Sequence, residues 1–201
     1  MNINIANLLI TTSVITLGSF NFLASSVQAA TIFQATLEGS QEVPPVTTSA
    51  SGSALLSLDK TTNLFDIQID VTGISVTELL GVGANSSPLH IHLAPAGSNG
   101  NIIVDLGFLG TPVPTSTGFS FTLPNTLFGG TQGNLTSDVA TNVASLLAGD
   151  TYINIHTNAF PSGELRGQLT PVPEPTAILS LLTLGAIGGW LRRKDKKTPT
   201  S

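Results

Sequence analysis

The feature that most constrains this chain is a strict two-residue alternation. Phe65, Ile67, Ile69 and Val71 are separated by Asp66, Gln68 and Asp70. A helix would scatter these apolar groups around its axis, whereas a strand puts every second side chain on one face. The pattern recurs where Phe33, Ala35 and Leu37 alternate with Gln34, Thr36 and Glu38, and where Ala54, Leu56 and Leu58 share a face. Further strands are predicted at Leu89–Leu93, Ile102–Leu106, Phe119–Leu123, Tyr152–Thr157 and Glu164–Leu169, about eight in all. Clusters of Gly, Pro, Asn and Ser lie between them, the punctuation of hairpins and loops. Many short strands with one apolar face predict an all-β fold, an antiparallel sandwich or flattened barrel. One helix is expected over Ser137–Ala148, capped by Thr136 or Ser137 and ended by Gly149, with Val139, Val143, Leu146 and Leu147 as its apolar stripe. The Gly-, Pro- and Thr-rich segment Gly107–Thr117 reads as a loop.

Charge narrows the function classes. Only 9% of the residues are charged. Residues 31–171 hold ten acidic residues against Lys60 and Arg166 alone, a net charge of −8. Nucleic-acid binding needs a cationic face to displace counterions, so no nucleic-acid partner is expected. The chain has no cysteine, which excludes disulfides, thiolate nucleophiles and thiolate-ligated zinc. No phosphate-cradling loop, dinucleotide fingerprint or serine-nucleophile motif occurs.

The two ends read as address elements flanking one domain, giving segments 1–30, 31–171 and 172–201. From Ile5 to Val27 the chain is mostly apolar, and it runs into Val27-Gln28-Ala29-Ala30. Small residues at these positions suit signal peptidase, with cleavage after Ala29 or Ala30. Near the other end, Val172-Pro173-Glu174-Pro175 resists helix formation. Residues 176–191 then form an uncharged apolar run, expected to be a short transmembrane helix and shorter than a full bilayer span. Trp190 suits the interface, and Arg192, Arg193 and Lys194 suit the cytoplasmic side. This order resembles the PEP-CTERM sorting signal of Gram-negative bacteria and cyanobacteria. The resemblance implies processing by a membrane-bound exosortase near Pro173, Glu174 and Pro175, after inner-membrane transit, and delivery to the cell surface or extracellular polysaccharide.

All three histidines lie in the predicted strands. His90 and His92 are two apart, so they share a face with Cα atoms about 6.6 Å apart. His156 shares a face with Tyr152 and Asn154, opposite Ile153 and Ile155. The three imidazoles are therefore expected to leave the apolar core and converge on an outer patch. Asn154, Glu164, Arg166 and Gln168 are expected to support that patch, with Glu164 and Arg166 forming a same-face ion pair. Two readings compete. One is a metal site for Zn or Cu on His90, His92 and His156. The other is a polar network holding the loops in place. An acid–base role for the imidazoles is a third possibility.

Three segments carry a second resemblance: Ala35–Pro45 (ATLEGSQEVPP), His90-Ile91-His92 with Gly97 and Gly100, and Tyr152–Gln168 (YINIHTNAFPSGELRGQ). Together they resemble the CHRD domain, first described in chordin, over roughly the whole folded part. The resemblance implies an immunoglobulin-like sandwich related to copper/zinc superoxide dismutase, and it supplies no established chemistry. Full dismutase chemistry is not expected, since that site takes more histidines than three and that fold carries a disulfide. The leading expectation is a non-catalytic surface or matrix protein contacting exopolysaccharide or a surface protein. The alternative is a metal-binding protein or metalloenzyme.

Overall fold

A computed structural model describes residues 30–81 and 87–173. The expected signal segment with Ala29, the residues Glu174 and Pro175 and the apolar run 176–191 lie outside the described residues. Among the described residues no helix is long and apolar enough to cross a membrane.

The alternating segments are strands. In chain order they are β1 (Thr31–Glu38), β2 (Ser51–Asp59), β3 (Leu64–Thr72), β4 (Leu89–Leu93), β5 (Asn101–Asp105), β6 (Val113–Pro114), β7 (Gly118–Leu127), β8 (Gly130–Gln132), β9 (Leu135–Ser137), β10 (Thr151–Ile155), β11 (Leu165–Gln168) and β12 (Thr170–Pro171). Among the described residues twelve strands thus stand where about eight were expected, because β6, β8, β9 and β12 are too short to show a period. One sheet runs β5-β4-β10-β11-β1-β2-β3-β7-β6, with β12 also on β1, while β8 and β9 pair separately. Every pairing in it is antiparallel. The sandwich is one continuous sheet curled over. Phe33, Leu56, Ile69 and Phe121 from one limb meet Leu89, Ile91, Ile153 and Leu165 from the other in a single apolar cluster.

The helix expectation needs three corrections. Among the described residues the α-helices are α1 (Leu106–Leu109) and α2 (Val139–Ala148). Asp138, with extended backbone, caps α2 by accepting the Thr141 N–H. Thr136 and Ser137 belong to β9, and the Ser137 hydroxyl is spent on the Ile103 carbonyl. Leu147 is exposed, outside the buried stripe of Val143 and Leu146. The segment read as a loop over Gly107–Thr117 holds most of α1 and all of β6. Gly149 does end α2, in the left-handed region at φ 81°, where a residue without Cβ is unstrained.

The two ends of the fold meet. β12 pairs with β1 through Phe33 opposite Pro171, and the Val172 N–H donates to the Ile32 carbonyl at 2.8 Å.

Candidate metal centre

The site grows from the far face of three adjacent strands. On β4, Leu89 and Ile91 enter the core, so His90 and His92 take the opposite face. On β10, Ile153 and Ile155 enter the core and leave Tyr152 and Asn154 on that same opposite face. Register then aligns two cross-strand rows. One is Asp105, His90, Asn154, Arg166 and Glu38, and the other includes His92, Tyr152 and Gln168. His156 stands one residue beyond the end of β10, where its N–H donates to the Pro88 carbonyl.

The expected outer patch is not at the surface. His90, His92 and His156 are only 5%, 8% and 9% exposed, and Arg166 1%. The face is polar, but loops roof it over, so it forms a second, polar interior. Arg166 binds the roof through Nη1 to Asn99 Oδ1, and through Nη2 to the carbonyls of Pro95 and Ser98. Its guanidinium lies 3.5 Å from the centre of the Tyr152 ring, a desolvated cation–π contact. Asn99 in turn donates to the Val43 carbonyl, joining two roof segments. Gln168 Nε2 holds the carbonyls of Ala94 and Gly149.

The anticipated ion pair between Glu164 and Arg166 does not form. Glu164 lies just before β11, and its carboxylate accepts the hydroxyls of Thr48 and Thr157 at 2.7 and 2.6 Å. Arg166 instead directs three hydrogen bonds at two carbonyls and an amide oxygen. Among the described residues the sole contact in ion-pair range is His90 Nε2 to Asp105 Oδ1, at 3.9 Å.

The imidazoles cluster tightly. Ring centroids are 5.5 Å apart for His90 and His92, 5.0 Å for His90 and His156, and 6.2 Å for His92 and His156. One potential ligand nitrogen from each lies within 4.8 Å of the other two. His92 Nδ1 is 2.9 Å from the Gly100 carbonyl, and His156 Nδ1 is 3.0 Å from that of Pro161. A carbonyl only accepts, so both Nδ1 atoms carry the proton and both Nε2 atoms keep a lone pair. Those two Nε2 atoms and His90 Nδ1 are buried and have no hydrogen-bond partner.

Burial also fixes the charge state. It is the main force holding His90 down at about 3, reinforced by His156 and His92. It holds His92 at about 4, against the raising effect of its bond to Gly100. His156 is lowered too, by burial against the bond to Pro161. At neutral pH all three are uncharged imidazoles, the form that ligates metal.

Residues that the sequence did not place here are Asp105, Asn99 and Glu42, and the contact that Tyr152 makes was not foreseen either. Tyr152 stacks on His92 at 4.9 Å between ring centres and 10° between planes. Glu42, within the Ala35–Pro45 segment, is 5% exposed. Burial pushes its carboxyl up to about 7, against the lowering effects of the Arg166 charge and an Asn154 hydrogen bond. Its place beside Val43-Pro44-Pro45 was the available clue, since such a segment holds a neighbour in a fixed direction. Gly163 makes the room: at φ 130°, a Cβ there would stand 2.5 Å from Glu42 Oε1 and 2.6 Å from Asn154 Oδ1.

Comparison with known proteins gives two matches. Residues 171–194 match the PEP-CTERM protein-sorting motif. That motif marks an exported protein, processed by exosortase at the membrane and sent to the cell surface. No curated protein and no solved structure matches the chain. Residues 33–169 match the CHRD domain, and with most of its length so covered, this chain belongs to the CHRD-domain family.

Proposed function

We propose that this exported domain is a metal-binding module, in which His90, His92 and His156 hold one Zn or Cu ion. One observation carries the reading: three uncharged imidazoles each bury a ring nitrogen that has no hydrogen-bond partner, and the rings face one another. A purely structural polar network would satisfy its buried donors and acceptors, because each orphan costs about 1–3 kcal/mol. An ion satisfies all three lone pairs at once. A tetrahedral ion with bonds of about 2.0–2.1 Å places its nitrogens about 3.4 Å apart. The present separations of up to 4.8 Å close to that by side-chain rotation. The carbonyls of Gly100 and Pro161 are the outer-shell acceptors that orient ligating imidazoles.

Metal analysis of the purified domain tests this directly. Wild type should carry near-stoichiometric Zn or Cu after loading and desalting, and His156→Ala should carry none. Equal metal in both proteins rejects the site.

A second reading concerns the partner at the surface, either exopolysaccharide or a surface protein. A shallow groove of about 380 Å³ on the outer face of β1–β3, lined by Gln34, Thr36, Ser53, Gln68 and Asp70, favours a hydroxyl-rich ligand. Co-sedimentation with the cell's own polysaccharide should be abolished by Gln68→Ala together with Asp70→Ala. In this scheme signal peptidase cuts after Ala29 or Ala30 and exosortase acts near Pro173. The domain spanning 31–171 then reaches the surface of a Gram-negative bacterium or cyanobacterium. Biotinylation of intact cells should label it, and recovery in the cytosol alone would reject that destination.

A further inference from the structure

We infer that Asp105 is a positioning residue that fixes the tautomer of His90 and makes it a ligand through Nδ1, so that the three histidines present a mixed Nδ1, Nε2, Nε2 donor set. This rests on the metal reading above and adds an assignment to it.

His92 and His156 each have Nδ1 tied to a backbone carbonyl, leaving Nε2 free. His90 is reversed. Its unpartnered, buried nitrogen is Nδ1, and its Nε2 stands 3.9 Å from Asp105 Oδ1. That exceeds the roughly 3.2 Å limit of an N–H···O bond, and His90 is uncharged, so the pair is not a salt bridge at neutral pH. It is a polarising contact: a carboxylate facing Nε2 favours the proton there and the lone pair on Nδ1. Ring rotation toward a bound ion can shorten it.

The carboxylate is well anchored for this task. Asp105 lies opposite His90 in the β4–β5 register. Its Oδ1 accepts the Phe108 N–H as the cap of α1, and its own N–H donates to Oε1 of the buried Gln132. Asp105 is not one of the three residues whose ligand atoms cluster, so it acts through His90. Backbone carbonyls orient two ligands and a full negative charge orients the third. Outer-shell partners of this kind typically change metal affinity by about 10–100-fold.

The test uses wild type, Asp105→Asn and Asp105→Ala. Asn retains a helix-capping oxygen while removing the charge, so the fold survives in at least that variant. In metal-free protein, long-range proton–nitrogen NMR should show His90 as the Nε2–H tautomer and His92 and His156 as Nδ1–H. In Asp105→Asn the His90 pattern should shift toward Nδ1–H while the other two stay. Competition against a chelator should show about 10–100-fold weaker metal binding in both variants. A wild-type His90 found as Nδ1–H overturns the assignment even if metal binds. Unchanged tautomer and affinity in Asp105→Asn overturns the positioning role. If wild type binds no more metal than His156→Ala, the metal reading fails, while the tautomer measurement still decides the role of Asp105.

Discussion

β3 and β10 show the same alternation and have opposite fates. On β3, Phe65, Ile67, Ile69 and Val71 are buried, and Asp66, Gln68 and Asp70 are exposed to water. On β10 all five residues are buried, the polar Tyr152 and Asn154 as fully as Ile153 and Ile155. Period two reports which residues share a face, but it does not report what lies over that face. Over β3 there is solvent. Over β4, β10 and β11 there is a roof made by the segments around Glu42, Pro95–Gly100 and Pro161. A polar residue under that roof must find its partners within the protein.

The contrast predicts unequal costs for polar substitutions at equivalent strand positions. The largest should come from Arg166→Ala. It removes three hydrogen bonds and the stack on Tyr152 from a fully buried guanidinium, and should cost about 3–5 kcal/mol in urea denaturation, as for a broken buried charge network. Next is Gly163→Ala. A Cβ there meets Glu42 and Asn154 and forces φ 130° on a residue that resists it, for a loss of about 1–3 kcal/mol. By contrast, Gln68→Ala on β3 should stay within about 0.5 kcal/mol. A comparable cost for Gln68 and Arg166 would erase the distinction between the two faces.

The fold was legible because it rests on alternation, and Phe65–Val71 and Phe33–Leu37 need no tertiary context to be read. The curl of the sheet was not, since β6, β8, β9 and β12 span only two or three residues each. The faces of His90, His92 and Asn154 followed from spacing alone. Their burial did not, because it is imposed by loops whose paths no periodicity encodes. For the same reason Glu42 was missed, and Glu164 was paired with Arg166 although Thr48 and Thr157 claim its carboxylate.

Acidity sharpens the comparison further, with a smaller and reversible effect. The folded-state values of the histidines are depressed, so the unfolded chain binds the extra protons. Their contribution is intact above about 6.5, the ordinary value, and drains away as pH falls toward 4 and then 3. Glu42 acts with the opposite sign. Its raised folded value gives stability that is full below about 4.5 and is lost as pH rises through about 7. Metal-free protein followed by thermal melting should therefore lose stability steadily below pH 6. Replacing His90 and His92 together with Gln should flatten that limb, and Glu42→Gln should flatten the weaker decline toward neutral pH. An acid limb unchanged by the histidine replacements would mean the polar interior is open to water.

The pairing of β1 with β12 has a consequence for biogenesis. The polypeptide enters and leaves the fold at Ile32 and Val172, two residues joined by a hydrogen bond, about one strand spacing apart. A chain processed at the membrane through its C-terminal motif can then complete this domain without stretching. Exosortase processing at the C-terminal motif therefore takes place beside the first strand, at the pole where the fold begins.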